Sequence, residues 1–149
     1  MFDMSSTLKG TNGEEFLPVP KMNTEVKELW CEALESVKYL QGRTLLRYDE
    51  AGHERFCALG ILVDLYGQKH GLKWKSYKEV VSERVTIYFL EGFDNMSSLP
   101  NAVSEWAFNS KSYNDPVVIY RGTVTNLSYL NDVEEMDFKT IASLVRQQY

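Results

Sequence analysis

Basic charge is in short supply in this chain, and so are cysteine, histidine and long apolar runs. Its 16 Lys and Arg face 21 Asp and Glu, which leaves a net charge of −5 and a pI of about 5.1. That balance exerts no general pull on a phosphate backbone, so nucleic acid is not an expected partner. The local exception is Lys69-His70-Gly71-Leu72-Lys73-Trp74-Lys75. Two cysteines, Cys31 and Cys57, make no disulfide framework; both sit in apolar helical patterns and read as buried free thiols of a reducing compartment. The richest metal-ligand set is His53, Cys57, His70 and Cys31. No short pair in it has structural-zinc spacing, and Cys31 belongs to another helix, so neither a metal nor a cofactor is expected. No apolar run approaches the roughly 20 residues that span a bilayer, so no membrane association is expected. Asp3 and Ser5-Ser6-Thr7 interrupt the first apolar residues, so no signal peptide is expected and a cytoplasmic location follows. There is no Gly-rich phosphate loop and no Gly-x-Ser-x-Gly.

What is present is a chain of 149 residues, 44% hydrophobic and 25% charged, which is the size and composition of one globular domain. Its densest stretch is Phe56 to Tyr66, with nine apolar or aromatic residues in eleven and Asp64 as the single charge. Apolar nearly all round, it reads as a buried central helix. Gly60 in its middle costs about 1 kcal/mol of helix propensity, so its use is close approach by another element.

Residues 1–21 show no period and read as a flexible or extended arm, with Phe16-Leu17 as candidate docking residues; the globular domain runs from 22 to 149. Val26, Leu29, Trp30, Ala33, Leu34 and Val37 recur at helical spacing behind an N-cap at Thr24, with Gly42 as the stop. Thr44 to Tyr48 predicts a strand, Asp49 to His53 a turn, and Arg55-Phe56 the return into the central helix, which Lys69, His70 and Gly71 end. Trp74 to Tyr77 reads as loop or short helix, Val85 to Leu90 as strand, and Gly92 to Ser98 as loop. Leu99-Pro100 opens a helix whose inner face is Ala102, Val103, Trp106 and Ala107. Val117 to Tyr120 is a strand closed by Gly122, and Leu127 to Leu130 a loop or single turn. Asp137 caps a last helix that buries Phe138, Ile141, Ala142 and Val145. The order predicts an α+β fold, a single compact domain with about four helices packed on a small, mainly antiparallel sheet.

Several segments form an ordered series. Glu28-Leu29-Trp30-Cys31-Glu32-Ala33-Leu34 is followed by Gln41-Gly42-Arg43 and Phe56-Cys57-Ala58-Leu59-Gly60. Leu99-Pro100 with Trp106-Ala107 comes next, then Leu130-Asn131-Asp132 with Phe138 and Ile141-Ala142. Over about Met22 to Gln147 the series resembles a family of small uncharacterised proteins encoded by tailed phages and prophage-bearing bacteria. Family members commonly carry a second cysteine where this chain has Ala58 or Val63, and tend to start near Met22, so the arm is a departure. The resemblance implies an origin and brings no activity with it.

Each candidate for chemistry has a structural alternative. Cys57, at the entry to the central helix, is a possible nucleophile with His53 as its base; the alternative, favoured because no oxyanion element is visible, is a core thiol beside a turn histidine. Asp64 either pairs with Arg43 or Arg47 as a structural ion pair, the favoured reading, or lines the floor of a pocket. Asp132, after Asn131, reads as a turn and capping element. Lys73, Trp74, Lys75 and Tyr77 place two cations beside two aromatics and, with Tyr113, form the expected binding surface. The leading expectation is a non-catalytic, phage-type accessory protein that binds and inhibits a host defence or metabolic protein in the host cytosol. The alternatives are a small-molecule binder that sequesters a nucleotide-like anionic ligand, and a small cysteine-dependent enzyme.

Overall fold

The computed structural model describes residues 5–9, 15–77 and 83–149, with side chains from Val19 onward. In chain order they form β1 (Ser5–Lys9), β2 (Glu15–Pro20), α1 (Thr24–Glu35), β3 (Arg47–Glu50), β4 (His53–Phe56) and α2 (Ala58–His70). Then come β5 (Trp74–Ser76), β6 (Val85–Leu90), α3 (Asn101–Phe108), β7 (Val117–Tyr120), β8 (Thr123–Asn126), α4 (Leu127–Asp132) and α5 (Phe138–Gln148). A four-stranded antiparallel sheet has the order β4-β3-β6-β5, and β1-β2 and β7-β8 are separate antiparallel pairs. The fold is α+β, and four of its five helices are at least eight residues long.

Helix α2 is the axis of the molecule. It touches α1, α3, α4, β4 and β6, and Ala58 to Val63 are buried without interruption. Cys57 is its N-cap: the Sγ accepts the Gly60 N–H at 3.3 Å. Gly71, at φ 67°, ends it in the left-handed cap that a glycine favours, behind Lys69 and His70. Gly60 lies directly against the backbone of the segment that leads into β3. A Cβ there would stand 1.7 Å from the Leu46 carbonyl oxygen.

A network of backbone and amide groups fastens the start of α2. Gly42 N–H donates to the Phe56 carbonyl at 2.7 Å, and Cys57 N–H donates to the Leu46 carbonyl at 3.3 Å. Asn131, buried at the end of α4, accepts from Ala58 N–H (3.2 Å) and Gln41 Nε2 (2.9 Å) and donates to the Gly42 carbonyl and to Asp132 Oδ1. Asn131 thereby supplies a helix-capping acceptor from far along the chain, and all of its polar capacity is used. Asp132 Oδ1 also takes Thr44 N–H at 2.8 Å, and Thr44 sits at φ 71°, where a β-branched residue is strained unless held. The two are spliced into the same knot that the sequence presents as separate short segments.

Helix α1 packs along α5 and on α2, burying Val26, Trp30, Cys31 and Leu34. Trp30 Nε1 donates to the Ala58 carbonyl at 2.9 Å. Arg146 of α5 bonds Glu35 and Glu28 across the outside of that pair. At the other side of α5, the Gln148 amide accepts Ile119 N–H at 2.6 Å and donates to the Ile119 carbonyl at 2.8 Å, standing in for a strand neighbour of β7.

Several boundaries differ from the sequence expectation. The N-cap of α1 is Asn23, whose Oδ1 accepts from the amides of Glu25 and Val26, and the helix ends at Glu35, so Val37 is outside it and 98% exposed. The strand before the hairpin starts three residues later than expected, with β3 beginning at Arg47, while the tight turn, Ala51-Gly52 with both residues at positive φ, falls within the expected Asp49 to His53. Trp74 to Ser76 is a strand, paired with β6. Arg121-Gly122 is a turn into β8 rather than an end, and Leu127 to Asp132 is a helix. The buried side of α3 is Val103, Ser104, Ala107 and Phe108, while Trp106 is half-buried against Tyr66. Within residues 1–21, β1 and β2 pair and Val19 is buried against Ile119. The docking considered for Phe16-Leu17 lies outside the described side chains.

Candidate functional site

A cleft of about 550 Å³ opens between the segment that follows α1 and the β3-β4 hairpin, with Asp64 of α2 among its lining residues. Its size is within the range of small-ligand sites. One wall is the stretch Lys38-Tyr39-Leu40, which hydrogen bonds pin in place. Ser36 Oγ donates to the Ala33 carbonyl and receives Lys38 N–H, and the Leu40 carbonyl accepts Phe56 N–H at 2.9 Å. The opposite wall carries His53, Glu54 and Phe56 on β4 and Arg47 on β3.

Asp64 has no arginine partner. Its Oδ2 accepts from the Tyr39 hydroxyl at 2.6 Å and from Gln68 Nε2 at 2.7 Å, and its Oδ1 from the Trp74 indole at 2.8 Å. The expected pairing with Arg43 or Arg47 is therefore corrected. Arg43 pairs with Glu135 at 3.2 Å and Arg47 with Glu54 at 2.6 Å across the hairpin. Three neutral donors satisfy the carboxylate instead, and it lies in the wall of a cleft. Burial and the Asp64 contact both push the Tyr39 hydroxyl well above its ordinary value, so it stays a donor at all ordinary pH.

Arg47 is the other organising side chain. Its guanidinium lies 4.1 Å from the Tyr88 ring centroid and 5.7 and 5.8 Å from those of Phe56 and Trp74, and it is 14% exposed. An arginine stacked among aromatic rings keeps its plane fixed while its edges remain available. Three buried side-chain polar atoms lack a hydrogen-bond partner among the described residues: Arg47 Nε, Asp49 Oδ1 and Arg55 Nε. All three are on this hairpin. Asp49 Oδ1 lies 3.8 Å from Arg47 Nη2 and Arg55 Nε 3.6 Å from Glu50, so two of the three have a charge partner without a hydrogen bond, and Arg47 Nε has neither among the described residues.

The residues expected to form the binding surface are divided between places. Trp74 packs on Phe56 behind the cleft and bonds Asp64, so it is core margin. Lys73 and Lys75 are exposed on or beside β5; Lys73 N–H bonds Glu91, and Lys75 Nζ is 4.0 Å from the same carboxylate. Tyr77 N–H donates to the Ile87 carbonyl. Tyr113 belongs to a different cluster, with Phe108 and Tyr149, and its hydroxyl bonds Tyr149 and Val117 N–H. Asp132 is a tether, as described above. Among the described residues, no three His, Cys, Asp or Glu side chains are grouped to hold a metal.

His53 is exposed on the cleft rim, whereas Cys57 is buried, and burial pushes its thiol up to about 12. Cys31 is likewise buried, with its thiol raised to about 11. Iodoacetamide at neutral pH is accordingly expected to modify both cysteines of the native protein at least about a hundredfold more slowly than those of the urea-unfolded chain. Rapid native labelling at Cys57, read by peptide mass spectrometry, would restore it as a nucleophile.

The sequence singles out neither Tyr39 nor Gln68, and it presents Asn131 only as part of a turn with Asp132. Gln68 had a visible signal, since it stands four residues after Asp64 on the same helix. Tyr39 had none, because only the tertiary fold brings it to Asp64.

A family model described as a domain of unknown function (DUF8296) matches residues 22–149. No curated protein and no solved structure matches the chain.

Proposed function

The chain belongs to that family, and from this premise we propose that it is a non-catalytic accessory protein of phage type that binds and inhibits a host protein. The observation that carries the reading is the segment of residues 37–40, of which Lys38, Tyr39 and Leu40 wall the cleft. Val37 is 98% and Leu40 51% exposed, yet the segment between them is anchored, with Tyr39 bonded to Asp64 and packed edge-on against Phe56. Apolar side chains presented on a fixed backbone lose little entropy on binding, which is the property of an interface anchor. The sealed Cys57 supports the non-catalytic half of the reading.

The test is the double variant Val37→Asp, Leu40→Asp, used with the wild type as bait in lysate of the host bacterium. Both side chains already face water, so the variant's melting temperature is expected to stay within about 2 °C. Its affinity for a partner captured by the wild type is expected to fall at least about tenfold, measured with the purified partner. Unchanged affinity would remove this face from the interface.

A further inference from the structure

We propose that the cleft between residues 38–40 and the β3-β4 hairpin binds a small organic anion, a carboxylate or phosphate on an apolar body, through Arg47 and Lys38. The argument is a balance of donors and acceptors. Asp64 brings a negative charge to the cleft, but both its oxygens are taken by Tyr39, Gln68 and Trp74. The other acid, Glu54, is 60% exposed at the edge of the hairpin, and water can replace it on Arg47.

Donor capacity is what remains. Lys38 has no acidic partner among the described residues, and its ammonium lies 5.9 Å from the Tyr39 ring centroid. Arg47 spends Nη2 on Glu54, with Asp49 Oδ1 3.8 Å from the same nitrogen, while its buried Nε has no hydrogen-bond partner among the described residues. Its stacking on Tyr88 holds the guanidinium plane fixed for a carboxylate or a phosphoryl group. His53 adds a third polar side chain on the rim. The apolar part of the lining, Tyr39, Leu40 and Phe56, would receive the body of the ligand. Bound this way, the anion takes the place of Glu54, so the protein's own carboxylate is a competitor for the site. The proposal does not depend on a partner protein.

The test is calorimetric titration of the full chain with benzoate and with adenosine monophosphate, each beside its uncharged counterpart, benzamide or adenosine. Saturable binding of at least one of the two anions, at least about tenfold tighter than its neutral counterpart, is expected, and the anion that binds tells carboxylate from phosphate. Lys38→Gln, on an exposed side chain that cannot threaten the fold, should weaken binding about threefold or more, and Arg47→Gln about tenfold or more. Glu54→Gln has the opposite expected sign: removing the competitor should tighten binding about threefold or more. A merely structural Arg47-Glu54 pair would not produce that gain. Equal binding of charged and neutral probes, no saturation by any probe up to roughly 10 mM, or a Glu54→Gln variant that binds no better would each overturn the proposal.

Discussion

Gly60→Ala is expected to destabilise the protein by about 3 kcal/mol or more, the reverse of the gain of about 1 kcal/mol that alanine brings to an ordinary helix interior. The new Cβ would fall 1.7 Å from the Leu46 carbonyl oxygen and 2.5 Å from its carbon, and these are backbone atoms with no rotamer to escape through. Relief requires α2 to move away from the segment entering β3, and that movement breaks the Cys57 N–H to Leu46 bond and opens the packed centre. Gly60→Leu should not fold. Gly67→Ala on the same helix is the control: its Cβ would meet the end of the Leu90 side chain at 2.9 Å, which can rotate, so a change within about 1 kcal/mol is expected. Urea unfolding of the two alanine variants decides the matter, and equal stabilities would mean that α2 is not wedged against Leu46.

Asn131→Leu should cost a comparable amount, about 3–5 kcal/mol, although the side chains have the same branching and number of heavy atoms. The substitution leaves Ala58 N–H and the Gly42 carbonyl without the partner they have now, and Gln41 keeps only its bond to the Met136 carbonyl. Asn131→Asp separates electrostatics from shape. It keeps an acceptor for Ala58 but sets a second carboxylate against Asp132, where the two side chains now approach to 2.8 Å. Burial and the like charge both raise the folded-state pKa of such a group above its unfolded value near 4. Its added penalty is then absent in acid and grows as pH rises through that window. Urea unfolding at pH 4 and pH 7 should show Asn131→Asp losing more than Asn131→Leu does on going to the higher pH. A parallel pH response of the two variants would mean that Asp132 does not feel position 131.

The helices were legible where periodicity or apolar density was strong, and the strands where β-propensity ran for several residues. α2 declared itself by composition, α5 by Asp137 and a clean apolar face, and the tight approach at Gly60 by a glycine placed where helix propensity argues against it. β5 and β8 were not legible, because three or four residues held by backbone pairing leave little pattern in side chains. The onset of β3 was misplaced because Thr44 and Leu45 have strand propensity, while the fold needs Thr44 at a positive φ and holds it with Asp132. Asp64 was assigned to arginines by charge matching. Charge alone does not reveal that Arg47 faces Glu54 across a hairpin, nor that a tyrosine, a glutamine and a tryptophan converge on one carboxylate.

The pairing of α1 with α5 sets a schedule for synthesis. Glu35 and its partner Arg146 are 111 residues apart, so at roughly 5–20 residues per second the first helix waits about 6–22 s for the last one to be made. Until residues 138–148 leave the ribosome, the α1 surface that covers Ile141, Ala142 and Val145 has no permanent cover, and the β7 edge at Ile119 lacks the Gln148 amide. The fold therefore stays incomplete until residues 138–148 have been made. A ribosome stalled before residue 138 should hold a chain that a protease or a chaperone can still seize, and the emergence of α5 is the step that commits it to the native state.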